Sequence, residues 1–152
     1  LNPSSAASDV YKRQEEGRHF QLSLLKARDL QLDKLKDIAD SYLGIPYLLG
    51  GETTDGIDCS AFTQQVFDKT YSIKLPRRAV WQSTHGVFIY RFALRKGDLV
   101  FFGPNPTDID HVGIYMGQGQ FINATSSKGV MYSGLDERYW AKKYQFAKRI
   151  IF

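Results

Sequence analysis

A thiol, an imidazole and a carboxamide are enough to run nucleophilic acyl transfer, and this chain carries all three on segments that could bring them together. Its single cysteine, Cys59, sits in the stretch Gly50-Gly51-Glu52-Thr53-Thr54-Asp55-Gly56-Ile57-Asp58-Cys59-Ser60-Ala61-Phe62. A polar, glycine-rich loop ends at Asp58, a good helix N-cap residue, and Phe62 and Val66 begin an apolar stripe at i, i+4. Cys59 then falls in the first helical turn, where free backbone N–H groups and the positive end of the helix dipole favour the nucleophilic thiolate. A lone cysteine is as readily a small buried hydrophobe. A catalytic role therefore needs a base, and the base needs a group that orients it.

Three histidines are candidates. His19 lies in a weakly patterned N-terminal segment and His85 precedes a strand, so both read as surface residues. His111 opens a strand with period-2 alternation: His111, Gly113 and Tyr115 share one face, and Val112, Ile114 and Met116 the other. In the next strand Phe121, Asn123 and Thr125 share a face. A three-residue loop at Met116–Gln118, or one at Gly117–Gly119, makes His111 and Asn123 neighbours on one face. A two-residue loop at Gly117-Gln118 puts them on opposite faces. On the same face, Asn123 accepts a hydrogen bond from one imidazole nitrogen and leaves the other for Cys59.

The elements that must position these groups follow from the patterning. Residues 1–14 are small, polar and aperiodic; they resemble translated adaptor sequence more than a protein segment and are expected to form a non-native or disordered leader. On that reading the natural N-terminus and any export signal precede the credible chain. Residues 15–32 read as a short extension or linker strand. From Asp33 the spacing of Leu35, Ile38, Ala39 and Tyr42 predicts a helix that stops at Gly44, followed by extended Ile45-Pro46-Tyr47. The Cys59 helix runs to about Tyr71, and Val80–Thr84 forms a short helix or turn. Beyond residue 85 the chain reads as strands: 86–90, 99–102, 111–116, 120–125, 128–133 and 145–152, with a short helix or turn at 136–140. Helices first and an antiparallel sheet of about five to six strands afterwards make an α+β fold, with residues 33–152 as its domain.

At 152 residues the chain suits one domain, and 43% hydrophobic with 24% charged residues is ordinary for a globular protein. Nine tyrosines and ten phenylalanines suit a packed sheet with a ligand groove. A formal charge of +4 fits an acidic polymer or an anionic cell envelope. No aromatic-basic nucleic-acid motif accompanies it, so nucleic acid is not an expected partner. One cysteine excludes an internal disulfide, and with three scattered histidines it makes no recognisable metal set. No stretch of about 18 apolar residues is present, so no transmembrane helix is expected.

The ordered pieces Gly44-Ile45-Pro46-Tyr47 with Gly50-Gly51, Asp58-Cys59-Ser60, Leu75-Pro76-Arg77 with Gln82, Gly97-Asp98-Leu99-Val100-Phe101-Phe102, His111-Val112-Gly113-Ile114-Tyr115 and Phe121-Ile122-Asn123-Ala124 together resemble the NlpC-type peptidoglycan cysteine endopeptidases. The resemblance covers roughly residues 33–152. It implies a papain-like fold, with Cys59 as nucleophile, His111 as base, and Tyr47 assisting the substrate or the oxyanion. Asn123 stands where that family usually has a second histidine, and Ala61 where it has glycine; asparagine still orients an imidazole in Cys-His-Asn sites. Asp58, Ser60 and Arg77 are candidates for holding the substrate's carboxylates and amino group, against readings as an N-cap, a first-turn residue and a surface charge. The activity implied is hydrolysis of γ-D-glutamyl–diamino acid or D-alanyl–diamino acid bonds in stem peptides or crosslinks, without a cofactor, by a monomer. The implied location is the periplasm, outer-membrane-anchored or secreted. A non-catalytic peptidoglycan-binding module and a papain-like acyltransferase are the alternatives.

Overall fold

A computed structural model of the chain describes residues 3–152, which form two units, one through Asp33 and one from Lys34 onward. Leu1 and Asn2, part of the leader expected at residues 1–14, lie outside the described residues. The first unit is helical: α1 spans Pro3–Asp40 and runs through all of it. The linker strand expected within 15–32 is therefore helix. Between Gln14 and Asp33 the sequence is rich in Glu, Gln, Leu, Lys, Arg and Ala with no proline, and summed helix propensity decides where no apolar stripe is present. Large side chains in this unit, among them Phe20 and Leu30, are exposed.

The second unit opens with the last turns of α1, where Leu35 and Ala39 are fully buried. A turn through Gly44 leads to Tyr47, which forms a single parallel bridge to Ile57. Strands β1 (Glu52–Thr53) and β2 (Gly56–Ile57) make a small ribbon within the glycine loop. Gly51 is needed there, because a Cβ would meet the Gly56 carbonyl oxygen at 2.4 Å. Helix α2 (Cys59–Tyr71) follows, then the short α3 (Ala79–Gln82).

Strands β3 (Val87–Ile89), β4 (Leu99–Phe102), β5 (His111–Gly117), β6 (Gln120–Thr125) and β7 (Gly129–Gly134) come next. The short α4 (Arg138–Lys143) leads into the last strand, β8 (Tyr144–Arg149). The larger sheet is antiparallel throughout, in the order β3-β8-β4-β5-β6-β7. Its register assigns the faces. Leu99, Phe101, Val112, Ile114, Ile122 and Ala124 share one face, and all are fully buried. Helix α2 packs against β5 and β6 with Phe62, Val66 and Phe67 fully buried. The opposite face carries Val100, Phe102, Tyr115, Phe121 and Ala147, closed over by Leu135 and Trp140. Among the described residues no helix is long and apolar enough to cross a membrane.

The β5–β6 hairpin turns on Gln118 and Gly119, both at positive φ, after Gly117 at φ 93°. Gly117 pairs with Gln120, but Tyr115 pairs with Phe121, so Met116 is bulged out. A two-residue turn alone would invert the parity; the bulge restores it. The face relationship is the one a three-residue loop at Gly117–Gly119 predicts, reached by a different geometry.

Candidate active site

The site begins with the capping of α2. Asp58 holds extended backbone and its Oδ1 accepts the Ala61 N–H at 2.8 Å, which starts the helix at Cys59. Its Oδ2 accepts the Gly50 N–H at 3.0 Å and so ties the glycine loop to the helix start. Arg77 forks onto the same carboxylate at 2.9 and 2.8 Å, and also donates to Ser60 Oγ at 2.9 Å and Glu52 Oε1 at 2.6 Å. Burial alone would raise the Asp58 pKa, but the Arg77 guanidinium and the Ala61 and Gly50 amides outweigh it and hold the carboxyl below its usual value. Gln82, fully buried, donates to the Ser60 carbonyl at 3.1 Å and the Pro76 carbonyl at 2.8 Å, fixing the Arg77 segment against α2. Asp58, Ser60 and Arg77 are thus first of all one another's partners.

Cys59 is buried, and burial pushes its thiol up to about 11, with the Asp58 charge adding to the rise. Hydrogen bonds from the backbone at Val112, Ser60 and Cys59 itself pull the other way and do not prevail. The thiolate expected from the helix start is therefore not the resting form: desolvation exceeds the local amide and dipole stabilisation. The Val112 bond joins the thiol to the residue that follows His111. Among the described residues no direct hydrogen bond links Cys59 to His111.

His111 sits at the head of β5 with its ring stacked on Trp140 (centroids 4.8 Å apart, 26° between planes) and tilted against Phe102 at 5.7 Å. Burial lowers its pKa to about 4; the Asn123 hydrogen bond and Asp110 raise it less, and Lys143 lowers it further. The resting pair is thus neutral thiol and neutral imidazole.

Nε2 of His111 lies 2.8 Å from Asn123 Oδ1. Asn123 is fully buried, and its Nδ2 donates to the Met131 carbonyl at 3.2 Å and to Ser133 Oγ at 3.1 Å. A backbone carbonyl only accepts, so the amide nitrogen must face Met131 and the amide oxygen must face His111. The oxygen in turn requires the proton on Nε2, which leaves Nδ1 as the basic nitrogen. Gly113 keeps the diagonal between these strands open, since a Cβ there would meet Phe121 Cδ2 at 2.7 Å and Asn123 Cβ at 3.2 Å.

Two cavities meet at the site. One, of about 620 Å³, is lined by Cys59, Asp58, Ser60, Arg77 and Arg78. The other, of about 460 Å³, is lined by His111, Trp140, Tyr139, Glu137, Lys143 and Lys128. Tyr47 and Asp110 line both. The Tyr47 pKa is raised by burial, then by the charges of Cys59 and Asp58, with Arg77 opposing. Tyr47 therefore stays a neutral hydroxyl donor at the junction.

His19 and His85 are exposed and outside both cavities. Among the described residues no three His, Cys, Asp or Glu side chains are grouped as a metal site would need. Sequence reading missed Trp140 as the imidazole's stacking partner and Met131 as the group that fixes the Asn123 amide. The Asn123–Met131 pairing across β6 and β7 was within reach of strand alternation; the α4 contact, made across a turn, was not.

Comparison with known proteins gives the chain's family and fold. The NlpC/P60 family pattern matches residues 44–149. A Haemophilus influenzae protein named as an NlpC homolog is 44% identical over 117 residues, which covers 77% of this chain and 62% of that protein. The Escherichia coli K12 murein DD-endopeptidase MepS/murein LD-carboxypeptidase is 42% identical over 123 residues, 79% of this chain and 65% of that protein. The chain thus spans a little under two thirds of the length of these relatives. The crystal structure of an NlpC/P60 family protein from Bacillus cereus superposes with a TM-score of 0.72 at 32% identity, covering 78% of this chain and 39% of that one. On this match of residues 44–149 and these relatives, the chain has the papain-like fold and belongs to the NlpC/P60 family.

Proposed function

We propose that this chain is a cysteine endopeptidase that cuts stem peptides or crosslinks of bacterial peptidoglycan, acting outside the cytoplasmic membrane as a monomer. The observation that carries the reading is that the cavity lined by Cys59 and the cavity lined by His111, whose imidazole is held by Asn123, share Tyr47 and Asp110. Family membership supports it, as does the murein endopeptidase name of the Escherichia coli relative.

In this reading substrate binding brings the thiol onto the basic Nδ1 of His111. The imidazole takes the thiol proton and the sulfur attacks the scissile carbonyl carbon. The Cys59 N–H at the helix start and the Tyr47 hydroxyl hold the developing oxyanion. Collapse breaks the C–N bond, His111 returns its proton to the leaving amine, and a thioester remains on Cys59. A water molecule, deprotonated by His111, hydrolyses the thioester and restores the thiol. Asn123 does not move a proton; it keeps the imidazole in one tautomer throughout. The bonds of choice are γ-D-glutamyl–diamino acid and D-alanyl–diamino acid linkages. Digestion of purified sacculi, with the new chain ends identified by mass spectrometry, tests this. New amino and carboxyl ends within stem peptides support it, and an unchanged muropeptide profile refutes it.

A further inference from the structure

Strand β3 closes one end of the larger sheet and carries apolar side chains that the core does not use. Ile89 turns inward, 8% exposed, and packs with Val100 and Phe102. Phe88, on the other side of the strand, is 51% exposed, Tyr90 is 64% exposed and Phe92 is 90% exposed. These three rings form one row. Phe88 and Tyr90 meet edge to face with centroids 5.1 Å apart, and Tyr90 and Phe92 lie parallel, 6° between planes, at 5.5 Å. Phe146 of β8 extends the row at 6.3 Å from Phe88. Rings that stack on one another outside the core make a contiguous apolar patch, the kind that marks an interaction surface.

The free charges beside the row are of one sign. Lys148 lies directly across from Phe88 in the β3–β8 register, with Nζ 5.8 Å from the Phe146 centroid. Arg95 and Lys96 follow Phe92 in the segment leading to β4. None of the three is ion-paired with a carboxylate among the described residues. Asp98, in the same segment, is buried in the fork of Arg149, and Asp136 is taken by Arg91.

We propose that this edge is a docking surface for an anionic phospholipid bilayer, with Phe88, Tyr90 and Phe92 seated at the headgroup boundary and Lys148, Arg95 and Lys96 over the lipid phosphates. Exposed apolar rings beside unpaired cations are what an anionic lipid interface takes up, without any segment crossing it. The formal charge of +4 acts in the same sense. A sugar polymer fits less well: its hydroxyls call for acceptors fixed beside the rings, and the flanking charged side chains only donate. None of the row lines either cavity, and β3 lies three strand spacings, roughly 14 Å, from β5. Docking at this edge therefore uses residues separate from the active site.

The test is co-sedimentation of the full chain with vesicles of phosphatidylethanolamine and phosphatidylglycerol, and with vesicles of phosphatidylcholine alone. The wild-type chain is expected to bind the anionic vesicles at least about tenfold more tightly than the zwitterionic ones, and less tightly as salt rises. Phe88→Ser, Tyr90→Ser and Phe92→Ser together lower that affinity at least about tenfold. Phe92→Ser alone, at the most exposed of the three rings, lowers it about threefold, and Phe92→Trp preserves it. Lys148→Gln with Arg95→Gln lowers it about tenfold without touching the rings. Circular dichroism and thermal melts establish that each variant is folded. Wild-type affinity in the triple or the charge variant, or equal binding to the two kinds of vesicle, overturns the proposal. Two other occupants would overturn it as well. Binding to purified peptidoglycan and not to vesicles, lost in the triple variant, makes the row a glycan surface. A concentration-dependent dimer in sedimentation velocity, lost in the same variant and without vesicle binding, makes it a contact between copies. Vesicle binding involves no turnover, so either outcome leaves the peptidase reading to its own test.

Discussion

Asn123 Oδ1 faces His111 Nε2 at 2.8 Å because the other end of the same amide is committed to the Met131 carbonyl. A main-chain acceptor two strands away from the imidazole thereby decides which ring nitrogen carries the proton. In the proposed mechanism the nitrogen left basic is the one that serves Cys59, so the relationship joins the sheet's register to that chemistry.

Removing that amide tests the link. Asn123→Ala leaves the buried Nε2–H unpaired, at a stability cost of about 1–3 kcal/mol, and lets the ring change tautomer. The expected result is a fall in kcat/KM of at least about tenfold, roughly 1.4 kcal/mol, with Tm lowered in thermal unfolding. Asn123→Asp should act differently. A carboxylate beside the ring favours imidazolium, so the acid limb of the pH–rate profile moves upward rather than vanishing.

The resting protonation states give a pH prediction. His111 works as a base only when neutral, and burial holds its pKa at about 4. Activity of the free enzyme should therefore persist through pH 6 and be lost only as pH falls through about 4. The same shift sets a stability window. The unfolded imidazole, with a pKa near 6.5, binds the proton that the folded one refuses, so stability present above about 6.5 falls as pH drops toward 4, by about 3 kcal/mol. For Cys59, raised to about 11, alkylation of the free enzyme should keep accelerating well above pH 9. A plateau reached near neutral pH would mean a preformed thiolate. Stopped-flow alkylation and denaturant melts across pH measure both.

The Asp58–Arg77 fork should matter for the helix start. Arg77→Ala leaves a largely buried carboxylate with its amide bonds but without its counter-charge, and about 2 kcal/mol of stability should be lost. Arg77→Lys should not restore it, since an ammonium cannot reproduce two parallel bonds to one carboxylate and a third to Ser60. Chemical denaturation of both variants decides this.

Gly113→Ala is the strictest probe of the His111–Asn123 diagonal. The added methyl has 2.7 Å to Phe121 Cδ2 and 3.2 Å to Asn123 Cβ, so it must push β5 and β6 side chains apart. About 1–3 kcal/mol of stability is expected to go, with kcat falling more than KM rises. An alanine variant with wild-type kcat would mean the diagonal does not position the imidazole.

Much of this was legible in the residues, and what was not has physical causes. Period-2 alternation put His111 with Gly113 and Tyr115 and Asn123 with Phe121 and Thr125, leaving only the loop's parity open, and the Asp58 cap put Cys59 at a helix start, because both follow from local rules. The turn was less accessible: Met116 bulges because Gly117, Gln118 and Gly119 all take positive φ, and only the paired strands reveal where the extra residue goes. The helical first unit was missed because propensity without an apolar stripe leaves no periodic signal. The thiol's protonation was misread because helix-start stabilisation is local, whereas desolvation of Cys59 comes from the whole fold closing over it.

The most direct measurement is the initial rate of stem-peptide cleavage by the wild-type chain and by Cys59→Ala under identical conditions, with both shown folded by circular dichroism. The account predicts cleavage by wild type and a rate indistinguishable from the no-enzyme control for Cys59→Ala. Equal rates from the two proteins would contradict it.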